Sequence, residues 1–455
     1  MKSVVIAAFL VCGGAAGALR VADAAERSLE RSTLARLAAL EPSRTLTIEG
    51  FPVGPDQMAP VRLQRVDLYS ADARVYAETA AGRVELPRSH EIFLRGYSDD
   101  GSARVALALN PDLSVAHGSG SGADGSFVIH ALNVRDGSTL RAVKLESDLP
   151  AGFDFNFRCG NEIENLDTSV PGGNASALGD VAEQLRTAVA AQTTAAHSLR
   201  FAAIAIDTDS LFMSRLFAND TTSATNWIAG MFNAMNLMYE RDLLVQLQIG
   251  TTILRTNAAT DPYTSFTAGA TTAQLGIFTN YWKANESGVP RAFATLLSGA
   301  IASTGNSCSA SGIAWLNQYC TNNNSYNLTQ VCTNIAFDPH GSFDARIVGH
   351  EIGHNFGAAH THCTNISTGV DPAATNTIDT CYSGESSCYS GATSCPAAGA
   401  GTIMSYCNMG GSGCKAGVQN QLRFHPTHIT KIDGLIDTKG ACFDKTDDVF
   451  FSSFE

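Results

Sequence analysis

Between residues 45 and 158, apolar and polar side chains alternate in short runs: RTLTIEGF, VRLQRVDLYS, ARVYAETA, HEIFLRGYS and ARVALALN. Segments rich in Gly, Asp, Asn and Pro separate the runs. Alternation puts successive side chains on opposite faces, so each run predicts a strand with one buried face. Together they predict an all-β unit, a sandwich or meander, with no catalytic constellation in it. Ahead of it, ERSLERSTLARLAALEP (26–42) has apolar residues at helical spacing and predicts a short amphipathic helix. Behind it, residues 166–197 are rich in Ala, Ser, Thr and Gly, with weak helical spacing near 176–192, and read as a linker.

From residue 199 the pattern changes. RFAAIAIDT is apolar enough for a buried strand, and SATNWIAGMFNAMNLMYERD spaces its apolar residues as a helix does. LLVQLQIGTTILR, TTAQLGIFTNYWKAN and RAFATLLSG continue the alternation as strand, helix and strand. Such alternation predicts an open sheet covered by helices. After residue 360 the pattern dissolves into Gly, Ser, Thr and Cys, and only HPTHITKIDGLID near the end reads as helical. The fold class expected is α+β, with no internal repeat.

The chain opens on MKSVVIAAFLVCGGAAGA: a basic Lys2, an apolar run from Val4 to Val11, then small residues at Ala16-Gly17-Ala18 and Ala22-Asp23-Ala24. That order predicts a cleaved secretory leader over 1–24, whose apolar run is too short to span a bilayer. Cys12 follows Val11 rather than a small residue and goes with the leader. No later stretch reaches transmembrane length, so the mature chain is expected to be secreted, extracellular or periplasmic; a monomer is expected. A net charge of -13 over 455 residues argues against nucleic acid or anionic membranes as partners.

Candidate chemistry is concentrated in HEIGHNFGAAH, residues 350–360. His350 and His354 are four apart, so a helix projects both imidazoles from one face. Glu351 follows the first, within reach of a metal-bound water. Gly357 can take the left-handed conformation that lets the chain leave the helix and bring His360 round. Three neutral imidazoles leave a fourth zinc position open, which is the pattern of a catalytic rather than a structural site. One zinc ion is therefore expected as cofactor, and calcium, though possible, is not indicated. No Gly-x-Ser-x-Gly elbow, Gly-rich phosphate loop or Cys-x-x-Cys pair offers a rival chemistry.

Downstream, GTIMSYC (401–407) supplies a methionine. H-E-x-x-H-x-x-G-x-x-H followed by such a turn resembles the metzincin zinc endopeptidases. HNFGAAHTHC and TIMSYC resemble the adamalysin (reprolysin) branch and its bacterial relatives in particular. The resemblance implies a twisted, mostly parallel sheet with helices, an active-site helix and an irregular, disulfide-rich lower subdomain over 198–445. It implies Glu351 as general base on protein or peptide substrates, and Met404 in the turn beneath the metal. SGIAWLNQYC (311–320) resembles the family's edge strand, so Gly312, Ile313, Ala314 and Trp315 are expected to hold extended substrate by strand addition. Residues 93–120 are similar to part of an adamalysin propeptide.

Two departures stand out. Thr361 follows the third histidine where adamalysins usually carry Asp, leaving that Asp's hydrogen bond to the methionine turn unassigned. Tyr406 lies where astacins and serralysins supply a movable tyrosine ligand; it is either a transition-state or fifth ligand or a phenol packed under the turn. His362, His425 and His428 read as surface residues or as supports of the ligands.

Cys308, Cys320, Cys332, Cys363, Cys381, Cys388, Cys395, Cys407, Cys414 and Cys442 allow five bridges in an exported lower subdomain. Cys159, in FNFRCGNEIEN, is left over. Arg158-Cys159-Gly160 resembles the core of the matrix metalloproteinase cysteine switch, in which a thiolate fills the open zinc position. A buried thiol with no such role is the plain alternative. The expected organisation is leader 1–24, β-rich propeptide 25–165, linker or activation region 166–197, protease domain 198–445 and tail 446–455. A non-catalytic exported binding protein on the same fold is the rival reading, against which Glu351 and the complete ligand set argue. An enzyme confined to cell-wall peptides could use the same site.

Overall fold

The computed structural model describes residues 26–42, 44–122, 125–145, 154–160, 199–304, 307–321, 323–331, 341–397, 401–407 and 420–445. The leader, the linker and the tail expected above lie outside them, as do Cys332 and Cys414. The first part of the chain carries β1 (Glu26–Glu30), α1 (Arg31–Ala38), β2 (Thr45–Gly54), β3 (Gln57–Arg65), β4 (Val75–Thr79) and β5 (Gly82–Leu86). It continues with β6 (Ile92–Ser98), β7 (Arg104–Leu109), β8 (Val115–Gly122), β9 (Gly125–Val134), β10 (Gly137–Lys144) and β11 (Asp154–Cys159). Eight of these form one antiparallel sheet in the order β1-β10-β9-β8-β7-β6-β3-β2. The run 26–42 is therefore a strand and then a helix. Glu26–Glu30 pairs with β10, and the helix begins only at Arg31, burying Leu34 and Leu37. An available sheet edge has overridden local helical spacing.

The second part carries β12 (Arg200–Thr208), α2 (Ser210–Phe217), α3 (Thr221–Leu243), β13 (Val245–Arg255), α4 (Thr272–Asn285) and β14 (Phe293–Ser298). Then follow β15 (Ala302–Thr304), β16 (Ser307–Ala314), β17 (Tyr326–Gln330), α5 (Asp344–Asn355), α6 (Pro426–Lys439) and β18 (Asp444–Lys445). β13, β12, β14 and β17 are parallel neighbours, and β16 adds to β17 antiparallel. The helices start where their caps dictate. Asp209 accepts from Phe212 N–H, Asp220 accepts from Thr222 and Ser223 N–H, and Thr271 and Gln274 form a capping box.

Both edges of this sheet are completed by the first part of the chain. β11 runs parallel to β16, pairing Arg158 with Ser311 and Cys159 with Gly312. At the far edge β4 runs parallel to β13, pairing Val75 with Thr252 and Glu78 with Arg255, and β5 closes a hairpin on it. The long helix α3 lies between the two sheets. It is buried continuously from Trp227 to Tyr239, as a helix covered on opposite sides must be. Its amides serve both sides: Asn236 exchanges two hydrogen bonds with the backbone of Leu247 on β13, while Asn233 Nδ2 donates to Leu107 O on β7 (3.5 Å). Arg95 on β6 pairs with Glu240 near the helix end at 2.8 Å.

Disulfides Cys320–Cys442, Cys363–Cys388 and Cys381–Cys407 tie the segments after β16, and Cys395 is also bridged. These bridges indicate an oxidising compartment. Among the described residues no helix is long and apolar enough to cross a membrane.

The two parts share a sheet at both edges, so a chain cut between residues 160 and 199 is expected to stay one particle. Size-exclusion chromatography of the cut protein under native conditions checks this. Two separate peaks would show that strand pairing at β4–β13 and β11–β16 is too weak to hold them.

Candidate metal centre and the strand laid across it

Every residue of α5 is buried, including its histidines. His350 and His354 project from one face, ring centroids 4.7 Å apart. The helix ends as its glycine predicts. Gly357 has φ 104°, its N–H donates to His354 O (2.9 Å), and Ala358 N–H donates to Gly353 O (3.0 Å). The reversed chain then carries His360 to the same point, its ring centroid 4.7 Å from that of His354 and 5.3 Å from that of His350.

Hydrogen bonding settles the tautomers. His350 Nδ1 is 2.8 Å from Ile403 O, and His354 Nδ1 is 2.7 Å from Ala358 O. Carbonyl oxygens only accept, so both Nδ1 atoms carry hydrogen and both Nε2 atoms present lone pairs. His360 Nδ1 donates to Glu385 Oε2 at 2.7 Å, leaving its Nε2 buried with no hydrogen-bond partner. The Nε2 atoms of His350 and His354 stand 3.1 Å apart. Two lone pairs at that distance cannot bond to each other. They suit a shared cation, since two ligands of a tetrahedral zinc at ~2.0–2.1 Å lie roughly 3.3 Å apart. Burial pushes the His350 imidazole down to about 3, and burial likewise drives His354 far down. Both therefore stay in the neutral form a metal requires.

A fourth donor completes the group. Cys159 Sγ lies 3.4 Å from His354 Nε2. One ligand atom from each of Cys159, His350, His354 and His360 lies within 4.8 Å of the others. An N₃S set of neutral imidazoles and a thiol fits zinc by chemistry as well as by spacing. Cys159 forms no disulfide.

Glu351 points into the same space, fully buried. Its Oε2 accepts from Cys159 Sγ at 3.6 Å and its Oε1 has no partner. Burial holds its carboxyl well above the usual range, with the thiol hydrogen bond acting the other way. Gly312 makes room for it, because a Cβ there would run into the Glu351 carboxylate. Gly312, Ile313 and Ala314 lie in β16, whereas Trp315 falls just past its end, with Nε1 3.3 Å from Thr279 Oγ1 on α4. The strand is covered on its outer side by β11, which ends on Cys159.

Met404 is buried against Gly353 of α5, and the preceding Ile403 carbonyl is the one that anchors His350. Thr361 supplies the link left unassigned by the missing Asp. Its N–H donates to Met404 O at 3.1 Å and its hydroxyl reaches the same oxygen at 3.4 Å. A carboxylate is also present, since Asp379 Oδ2 accepts from Ser405 Oγ at 2.6 Å. The Tyr406 ring lies 4.5 Å from that of His360. Its hydroxyl accepts from Cys159 N–H at 3.1 Å and lies 3.5 Å from Cys159 O.

The remaining histidines do not join the cluster. His425 caps α6, accepting from Thr427 N–H, and buried His428 Nε2 is 3.1 Å from Thr364 Oγ1. His362 Nε2 donates to Glu385 Oε2 at 2.8 Å. Glu385 itself escaped sequence reasoning; its only signal was to be the one glutamate between Glu351 and Glu455. Burial works to raise its carboxyl, but His360 and His362 outweigh that and hold it well below the usual carboxylate range.

Residues 198–420 match the family model Reprolysin_5, metallo-peptidase family M12. Among solved structures, metalloproteinase-II from Bacteroides fragilis is similar at 13% identity and a TM-score of 0.35, covering 77% of this chain and 91% of that one. A chaperone-substrate complex is similar at 11% identity and a TM-score of 0.27, covering 52% of this chain and 35% of that one. No curated protein matches the chain.

Proposed function

We propose that this chain is a secreted zinc-dependent metalloendopeptidase made as a zymogen, a metzincin of the adamalysin-like bacterial branch. The observation that carries the reading is the convergence of three Nε2 lone pairs beside the Glu351 carboxylate. The family match over 198–420 supports it. Protein or peptide chains are the substrates that follow.

His350, His354 and His360 would hold the ion. When bound, zinc supplies Lewis acidity that brings the pKa of a water from about 15.7 to about 7. Glu351, whose Oε2 faces Cys159 Sγ in the cluster, takes the proton as water attacks the scissile carbonyl and returns it to the leaving nitrogen. Tyr406 directs its hydroxyl at the same space and donates to the developing oxyanion once released from Cys159. The outer edge of β16, which β11 occupies here, offers main-chain hydrogen bonds to an extended peptide.

Latency follows from the same contacts. With Cys159 at the fourth position and β11 along the cleft, neither water nor substrate can enter. Residues 25–165 act as the propeptide, and the region 166–197 is where the chain is cut. The strand pairing of β4 with β13 keeps the propeptide attached at a site remote from the metal.

Glu351→Gln is expected to retain one zinc per chain while casein hydrolysis falls by about 10²–10⁴-fold, as for loss of a general base. Metal analysis beside a casein digest, with and without chelator, reads both quantities. Near-normal turnover in that variant would sink the mechanism; a wild-type chain that binds zinc without any hydrolysis after maturation would favour a binding protein. Cys159→Ser should give an uncut precursor that already cleaves a short quenched peptide. A silent Cys159→Ser precursor would remove the thiol from the account of latency.

A further inference from the structure

We propose that Glu385 is the positioning residue of the metal centre: its carboxylate, clamped by His362, fixes the His360 tautomer and so sets how tightly the third ligand holds metal. The inference rests on the zinc reading above. His350 and His354 are oriented by backbone carbonyls, Ile403 O and Ala358 O. His360 alone depends on a side chain, and that side chain is the only charged group among the three anchors. A carboxylate behind an imidazole holds the ring direction, keeps hydrogen on Nδ1 and makes Nε2 a stronger donor to metal.

The carboxylate is held in turn. Oε2 accepts from both His360 Nδ1 (2.7 Å) and His362 Nε2 (2.8 Å). The two imidazoles lie nearly parallel, 9° between planes and 5.3 Å between centroids, as a shared acceptor oxygen requires. His362 is fully buried, and its Nε2 is committed to Glu385 rather than aimed at the metal. The cluster of His360, His362, Cys363 and Glu385 has ligand-like spacing. It is not a second metal site, because the Cys363 sulfur is consumed in the bridge to Cys388.

That bridge explains why a loop can do a helix's work. Cys363 lies one turn of 3-10 helix past His360, its N–H donating to His360 O at 2.9 Å. Cys388 lies just past Glu385, and Tyr389 N–H donates to His362 O at 3.0 Å. One disulfide therefore clamps both ends of the His360–Glu385 contact. Metal retention should depend on the bridge, so that the centre reaches full strength only after oxidative folding.

The test is zinc affinity of the purified full-length protein, read by competition with a chromophoric chelator, with melting of the metal-free protein as a control. Glu385→Gln and Glu385→Ala are expected to weaken zinc binding about 10–100-fold while the metal-free melting temperature holds, the range for loss of a carboxylate behind a metal-bound histidine. Glu385→Asp should recover part of the loss, His362→Gln should give a smaller one, and the double variant Cys363→Ala/Cys388→Ala should approach Glu385→Ala. Affinities of Glu385→Gln and Glu385→Asp both within twofold of wild type would overturn the role of Glu385. A wild-type chain that takes up no zinc at all would instead overturn the function proposed above.

Discussion

The constraint on which the structure turns is the enforced meeting of three buried imidazole lone pairs at one point. Left alone, buried acceptors 3.1 Å apart would repel and swing away. They cannot, because each Nδ1 hydrogen is already bonded behind its ring, to Ile403 O, Ala358 O or Glu385. The anchors come from three different places: the methionine turn, the exit of α5 and a disulfide-closed loop. Much of the irregular lower part of the chain is thus accounted for as apparatus for holding three rings still. On the proposed function, a bound cation offsets the electrostatic cost of that arrangement.

The second organising feature is a strand edge that, on the proposed function, has two competing uses. β16 presents its outer edge beside the histidine cluster, and in this structure β11 takes that edge and delivers Cys159 to the cluster. Tyr406 is engaged in the same way, its phenol bonded to the Cys159 peptide. On the proposed function, the groups that would grip substrate are those that grip the propeptide. Latency then needs no distortion of the catalytic residues; it is competition for strand edge, phenol and metal position. The far edge, where β4 pairs with β13, adds attachment without touching the chemistry.

How much of this was legible in advance follows from the range of each interaction. The spacing of His350 and His354 and the left-handed Gly357 are local, set within a few residues, and they appear as read. The strand and helix alternation after residue 199 is equally local and survives. Local spacing predicts helix at Glu26–Glu30, where the structure has a strand, because its pairing with β10 joins residues more than a hundred apart. The departure of β4, β5 and β11 from the first sheet was invisible for the same reason: alternation predicts a strand, not its neighbour. Trp315 fell outside its strand by the one-residue uncertainty that attends any strand end.

Thr361 and Glu385 show a different limit, that of reading a motif by its side chains alone. The absent Asp after His360 looked like a missing bond to the methionine turn. The turn is instead held by the Thr361 main-chain N–H, which any residue but proline could provide, and by Asp379 from another loop. A carboxylate does stand near the third histidine, but it arrives from Glu385 and accepts from the ring Nδ1 rather than from the methionine turn. The requirement is for an acceptor at a point in space, and several chain positions can meet it once disulfides fix the loops. Where a family motif is broken at such a supporting position, the physical question is which other group fills that point. Here it is filled twice, at Ser405 by Asp379 and at His360 by Glu385, through loops closed by the Cys381–Cys407 and Cys363–Cys388 bridges.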